Sequence, residues 1–194
     1  MSKASSTCSA STARPTTAWN ACTICRSTTA PTARRPGRRS PGLFALLTDD
    51  AEGAADALEI GSRRLLVPKA ARGVAWFDFA GLCAQPLGAA DYLALAERYH
   101  TIILESVPAL TRARHNEARR FMTLVDALYE CRVNLIISAD AEPMALYQAG
   151  EGAFEFARTA SRLMEMRSRD YIETPPSTIA ATDFVPFALT TDLS

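Results

Sequence analysis

Two arginines four residues apart, Arg158 and Arg162 in "RTASRL", and an adjacent pair, Arg119 and Arg120 in "EARRF", are the side chains whose types and spacing best suit chemistry in this chain. A guanidinium presents a planar fork of N–H donors that matches two phosphate or carboxylate oxygens, so such pairs suit recognition of an anion such as a nucleotide. The ordinary alternative, a solvated or salt-bridged arginine on a helix surface, stays open for each. Glu105 and Asp140 lie at or near the ends of strand-like runs, where open α/β sheets meet ligands. A loop acid exposed to water is the alternative there. "CTIC" places Cys22 and Cys25 at metal or redox spacing, but no second Cys or His pair lies near it, and His100 and His115 are the only histidines. No metal site is expected. Cys83 and Cys131 sit among apolar residues and read as core thiols. The sequence contains no G-x-x-x-x-G-K-S/T, no G-x-S-x-G and no H-E-x-x-H.

The elements that must carry these residues alternate. "SRRLLVP" (62–68) and "GVAWFDF" (73–79) read as strands joined by the turn-prone "KAARG". "AADYLALAERYH" (89–100) has Tyr92, Leu95, Ala96 and Tyr99 on one helical face, and "TIILESVP" (101–108) follows as a short apolar strand stopped by Pro108. The pattern then repeats. Ala118, Phe121, Met122, Val125, Leu128 and Tyr129 form an apolar helix face, with Arg119, Thr123, Asp126 and Glu130 on the opposite, wet one. "VNLIISA" (133–139) has the continuous apolar character of a parallel strand covered on both faces. "FEFARTASRLMEMRSRDY" (154–171) reads as a last helix ending near Asp170. Helix and strand in alternation with short links predict an α/β sheet with crossover helices.

Composition divides the chain. Hydrophobic residues make up 48% of it, enough for a core, and no apolar run reaches the roughly 18 residues of a membrane helix. The formal net charge of zero hides a basic N-terminus: residues 1–42 hold seven basic residues and no acid, and the remainder 14 basic and 21 acidic. An acidic globular part argues against a general nucleic-acid binder. Residues 1–42 are dominated by Ser, Thr, Ala and Pro, with Ile24 the one large aliphatic between Met1 and Leu43. Such a segment is expected to be a disordered tail, because it cannot bury enough surface to offset its ordering entropy. Residues 174–194 read as a loose C-terminal tail.

Taken together, "F-x-x-L-C", "A-D-Y", "V-P-x-L-T", "E-A-R-R-F-x-x-L-V-D-x-L-Y-E", "S-A" and "F-x-F-x-R-T-x-S-R-L-x-E-M" resemble the C-terminal part of the AFG/ZapE-like ATPases over about residues 60–173. The resemblance implies a partial P-loop NTPase of the AAA type, a three-layer sheet with crossover helices, for residues 43–173. It also implies use of ATP and magnesium by the family, a homo-oligomeric ring, and remodelling of protein partners, including the division machinery in bacteria. A cytoplasmic bacterial location fits better than a mitochondrial one; no nucleic acid and no membrane span are implied. By the same resemblance Arg162 would lie nearest the γ-phosphate with Arg158 supporting it. Arg119 and Arg120 would face phosphate or a neighbouring subunit, and Asp140 would be a strand-end acid. None of the family's Walker motifs matches a position here, so the chain is expected to be inactive by itself. A non-catalytic module docking on a full-length relative is the alternative. Read in a shifted frame, possible codons for "TAWNACTICRSTTAP" spell a segment closer to the family than the printed one, so residues 1–42 are also readable as out-of-frame sequence of a truncated gene product.

Overall fold

The structure, a computed structural model, describes Cys25–Arg26, residues 41–49 and residues 51–174. The tails expected at 1–42 and beyond 173 fall almost wholly outside the described residues. Among the described residues the strands are β1 (Cys25–Arg26), β2 (Ala54–Ile60), β3 (Arg63–Ala71), β4 (Val74–Asp78), β5 (Thr101–Val107) and β6 (Asn134–Ala139). They form one sheet in the order β1-β6-β5-β4-β3-β2, parallel from β1 to β4 and antiparallel from β4 to β2. The helices are α1 (Pro41–Leu47), α2 (Ala89–Arg98), α3 (His115–Glu130), α4 (Ala153–Glu165) and α5 (Arg169–Glu173). The α/β class and the crossover units β4-α2-β5 and β5-α3-β6 are as the periodicity predicts.

Period two divides the sheet residues between two faces. Ala75, Phe77, Ile102, Leu104, Leu135 and Ile137 join the buried faces of α2, α3 and α4 in the main core. Val74, Ile103 and Ile136 point the other way and meet Phe44 of α1 in a smaller cluster. Three helices thus cover one face and a seven-residue helix the other. Tyr129, assigned by periodicity to the apolar face of α3, is only half-buried beside that core.

Three local expectations are corrected. Pro68 does not end its strand. The β2–β3 register shifts between Ala54 and Asp56, with Ala54 opposite Ala70 and Asp56 opposite Val67, so β3 carries an extra residue around Pro68. A bulge tolerates the missing proline N–H, and β3 continues to Ala71. The turn shrinks to Arg72–Gly73, both at positive φ (47° and 72°), as a two-residue hairpin loop requires. β2 carries little strand signal of its own, because "AADALEI" is poor in β-branched and aromatic residues. Finally, the last helix stops at Glu165 and restarts at Arg169, where the hydroxyl of Ser168 accepts the N–H of Tyr171 at 3.3 Å as an N-cap.

Candidate functional site

The arginines gather around the pair α3 and α4. Phe121 stacks on Phe156 with ring centroids 6.1 Å apart, and Tyr147 packs edge-on to Phe156 at 5.6 Å. Towards the other end of both helices Arg162 reaches Asp126 and Glu130. Contacts between 121 and 156 and between 126–130 and 162 mean that α3 and α4 lie side by side with their N-termini at the same end.

Arg162 is 9% exposed. Its guanidinium donates to Asp126 Oδ1, donates to Glu130 Oε1 at 2.8 Å, and lies 4.8 Å over the ring of Tyr129. Tyr129 in turn stacks on Tyr171 at 5.8 Å, and the Arg132 guanidinium lies 5.4 Å over the Tyr171 ring. The Tyr129 hydroxyl has its pKa raised, first by the hydrogen bond it gives Glu165 and then by burial and the Glu165 charge. Two arginines and two tyrosine rings thus meet where α3, α4 and α5 come together. The face of α3 assigned to water therefore holds a buried arginine: Asp126 and Glu130 are its acceptors. Periodicity along one helix could not show this, since the partner arrives from another helix 32 to 36 residues later.

The remaining candidates separate. Arg120 is half-buried and donates to the carbonyl of Cys83 at 3.1 Å, tying α3 to the short π-helix Ala80–Ala84. The Cys83 thiol beside it has its pKa pushed far up, chiefly by burial, so it stays protonated. Arg119 and Arg158 are exposed, and neither has an ion pair among the described residues. Arg158 precedes Arg162 by one turn, and Arg119 precedes Asp126 by two, so both lie toward the N-terminal end of the shared α3/α4 face. Phe154, one turn before Arg158, is 94% exposed.

At the carboxyl ends of the parallel strands Asp140 is exposed, its N–H donating to the Val107 carbonyl at 2.9 Å. Glu105 differs from the water-exposed acid considered for it: it is 6% exposed and pairs in register with Asp78 of β4. The next residue, Ser106, has φ 61° where the β5–β6 register shifts between Leu104 and Val107. Left-handed backbone at a serine stores strain of order 1–2 kcal/mol, and nothing in the sequence marks it. His100 lies beyond the end of α2. Its Nε2–H donates to the Arg72 carbonyl at 2.9 Å, and Nδ1 is hydrogen-bonded with the Thr101 hydroxyl at 2.9 Å. Among the described residues no cluster of three or more His, Cys, Asp or Glu could hold a metal ion, and no helix is long and apolar enough to cross a membrane.

The family described as AFG1-like ATPase matches residues 25–175. The chain belongs to that family. It is 40% identical over 116 residues to the cell division protein ZapE of Escherichia coli K12, which covers 60% of this chain and 31% of that protein. It is 34% identical over 148 residues to the uncharacterized protein C115.02c of Schizosaccharomyces pombe, covering 62% of the chain and 33% of the relative. The zebrafish (Danio rerio) lactation elevated protein 1 homolog B is 31% identical over 146 residues, covering 59% and 29%. The chain thus spans about a third of the length of these curated relatives. No solved structure matches it.

Proposed function

We propose that this chain is an arginine-bearing, non-hydrolysing part of an AFG1-like ATPase, acting with a phosphate-cradling part that its own sequence does not encode in recognisable form. The observation that carries the reading is the division of labour between neighbouring arginines. Arg162 is neutralised by two carboxylates and holds α4 against α3. Arg158, one turn earlier, is exposed with no ion pair among the described residues, so its guanidinium is free to reach a phosphate or an acidic partner, and Arg119 is exposed near the N-terminal end of α3. Phosphoryl transfer needs a loop around the phosphates, a lysine and a held magnesium ion. In the family those come with ATP and magnesium; here Arg158 and Arg119 would supply only positive charge at the developing anion. Family membership extends the proposal to a homo-oligomeric assembly that remodels protein partners, and the division role named for the bacterial relative makes division proteins the first partners to try. A cytoplasmic location belongs to the same proposal.

The purified chain should turn over ATP at background rate. Mixed with a P-loop part of a full-length relative, it should raise turnover, and Arg158→Ala should lower that gain by about tenfold or more, the scale of a lost phosphate-facing cation. Turnover by the chain alone that survives repurification, or a gain indifferent to Arg158, would sink the reading. A second reading, a non-catalytic module docking on a full-length relative, is favoured by Phe154, a fully exposed aromatic beside a free arginine, the composition of an interface anchor. Binding lost in Phe154→Ala but retained in Arg158→Ala, with no change in turnover, would select it.

A further inference from the structure

The outward face of α4 carries charges that its own chain leaves unmatched. Phe154, Arg158, Ser161 and Glu165 fall at i, i+4, i+7 and i+11, so they line one side of the helix, and all four are exposed. The opposite side, with Phe156, Ala160 and Leu163, is buried. Among the described residues Glu165 accepts the Tyr129 hydroxyl, but neither it nor Arg158 has an ion pair. The two lie about 10 Å apart along the axis at about 1.5 Å per residue, too far to meet within one helix. Between them the Ser161 hydroxyl donates back to the Ala157 carbonyl at 3.0 Å, so the middle of the face is small and already hydrogen-bonded.

We propose that this face is a self-association surface, on which a second copy of the chain packs α4 against α4, antiparallel about a twofold axis at Ser161. The spacing selects a second copy. Arg158 stands three residues before Ser161 and Glu165 four after it, so the twofold rotation turns each Arg158 onto the partner's Glu165. One ion pair thus forms twice, and both unmatched charges find their opposite. Helices in contact run with axes about 8–10 Å apart, and the small Ala157 and Ser161 admit the closer approach. Phe154, seven residues before the axis, reaches the partner's link between α4 and α5, where the half-exposed Met164 lies against Arg167. One helix face is small beside the roughly 800 Å² per partner of a standard complex, so the dimer is weak and concentration-dependent. It covers Arg158, and so withholds the guanidinium that the proposed function assigns to phosphate. That consequence alone rests on the ATPase reading; the interface rests on exposure, spacing and charge.

Sedimentation equilibrium of the full chain, without nucleotide or any relative, tests it. The mass should rise with concentration from monomer to dimer and stop there. Arg158→Glu and Glu165→Arg each set like charges against each other twice, and each should weaken association by about tenfold or more. Both positions are exposed, so both variants keep their melting temperatures. An equimolar mixture of the two variants restores both opposite-charge pairs, and should associate within about threefold of the unmodified chain. Ser161→Trp, which adds bulk at the axis, should weaken association as far as the charge reversals, and Ser161→Ala should leave it unchanged. A mixture no tighter than its components, or association indifferent to Ser161→Trp, would overturn the proposal. So would mass growing past the dimer, which requires a head-to-tail contact, or a chain monomeric up to about 1 mM, which leaves the face to another protein.

Discussion

At the scale of single residues, the chemistry of the four arginines differs because of what stands next to each, and that information is tertiary. Arg158 and Arg162 look equivalent in "RTASRL"; only the packing of α4 on α3 buries one and leaves the other in water. Removing the guanidinium of Arg162 strands Asp126 and Glu130, but those carboxylates keep part of their exposure (44% and 65%), which softens the penalty. Arg162→Ala should therefore cost about 2 kcal/mol, below the roughly 3–5 kcal/mol of a fully buried pair. Arg158→Ala should stay within about 0.5 kcal/mol. Urea denaturation midpoints at constant m-value measure both. A second residue-scale test concerns Asp56, which accepts the Tyr99 hydroxyl at 2.7 Å. That bond and then the Ala57 N–H hold its pKa below the ordinary 3.8 against the opposing effect of burial, with the Arg98 charge adding the least. A depressed folded pKa means a contribution that is present above pH 3.8 and lost as pH falls through the folded value. In Tyr99→Phe the Asp56 titration, followed by carboxyl NMR, should move up toward the ordinary value, and the acid-side loss of stability should shrink. An unmoved titration would show that the hydroxyl is not the cause.

At the scale of elements, strongly periodic segments were legible: α2, α3, β5 and β6 fall within a few residues of where apolar spacing puts them. What the sequence hid were elements decided by backbone geometry. β3 passes Pro68 because a bulge absorbs it, and α4 breaks before Arg169 because Ser168 caps a new turn. The β3–β4 hairpin gives the sharpest test of this kind of constraint. Gly73 has φ 72°, and a Cβ there would sit 2.5 Å from His100 Cδ2. His100 is not free to retreat, because both of its ring nitrogens are hydrogen-bonded. The Gly73 carbonyl also accepts the His100 N–H at 3.0 Å, so the turn is tied to the link between α2 and β5. Gly73→Ala therefore meets backbone strain and a clash together, and should cost about 2 kcal/mol or more, a drop of several degrees in Tm. Gly61 also lies at positive φ (61°) in the β2–β3 turn, but nothing stands within 4 Å of an added Cβ. Gly61→Ala should consequently cost less than Gly73→Ala, and reversal of that order in thermal melts would refute the argument.

At the scale of the molecule, the two faces of the sheet are covered unequally, and this inequality sets how the chain behaves in solution. Periodicity within strands showed that β5 and β6 are apolar on both faces, but it could not say what covers the second one. α1 begins inside the segment expected to be a tail, and with Phe44 at its centre it covers Val74, Ile103 and Ile136. Phe44 is 2% exposed and receives the ammonium of Lys69 at 4.2 Å from its ring centre, while the Thr48 hydroxyl donates to its carbonyl at 2.8 Å and closes the helix. Truncating a buried phenylalanine costs about 3–5 kcal/mol. Domains of this size have about 5–15 kcal/mol in total. The main core, which contains no α1 residue, keeps its contacts in Phe44→Ala. The expected result is a chain that stays folded but bares one apolar sheet face, so it should self-associate. Light scattering coupled to size exclusion should show a mass that rises with concentration in Phe44→Ala and less steeply in Leu46→Ala, whose side chain is already 57% exposed. Equal behaviour of the two variants would mean that α1 does not seal the face, and that the second layer of this sheet has to come from another chain.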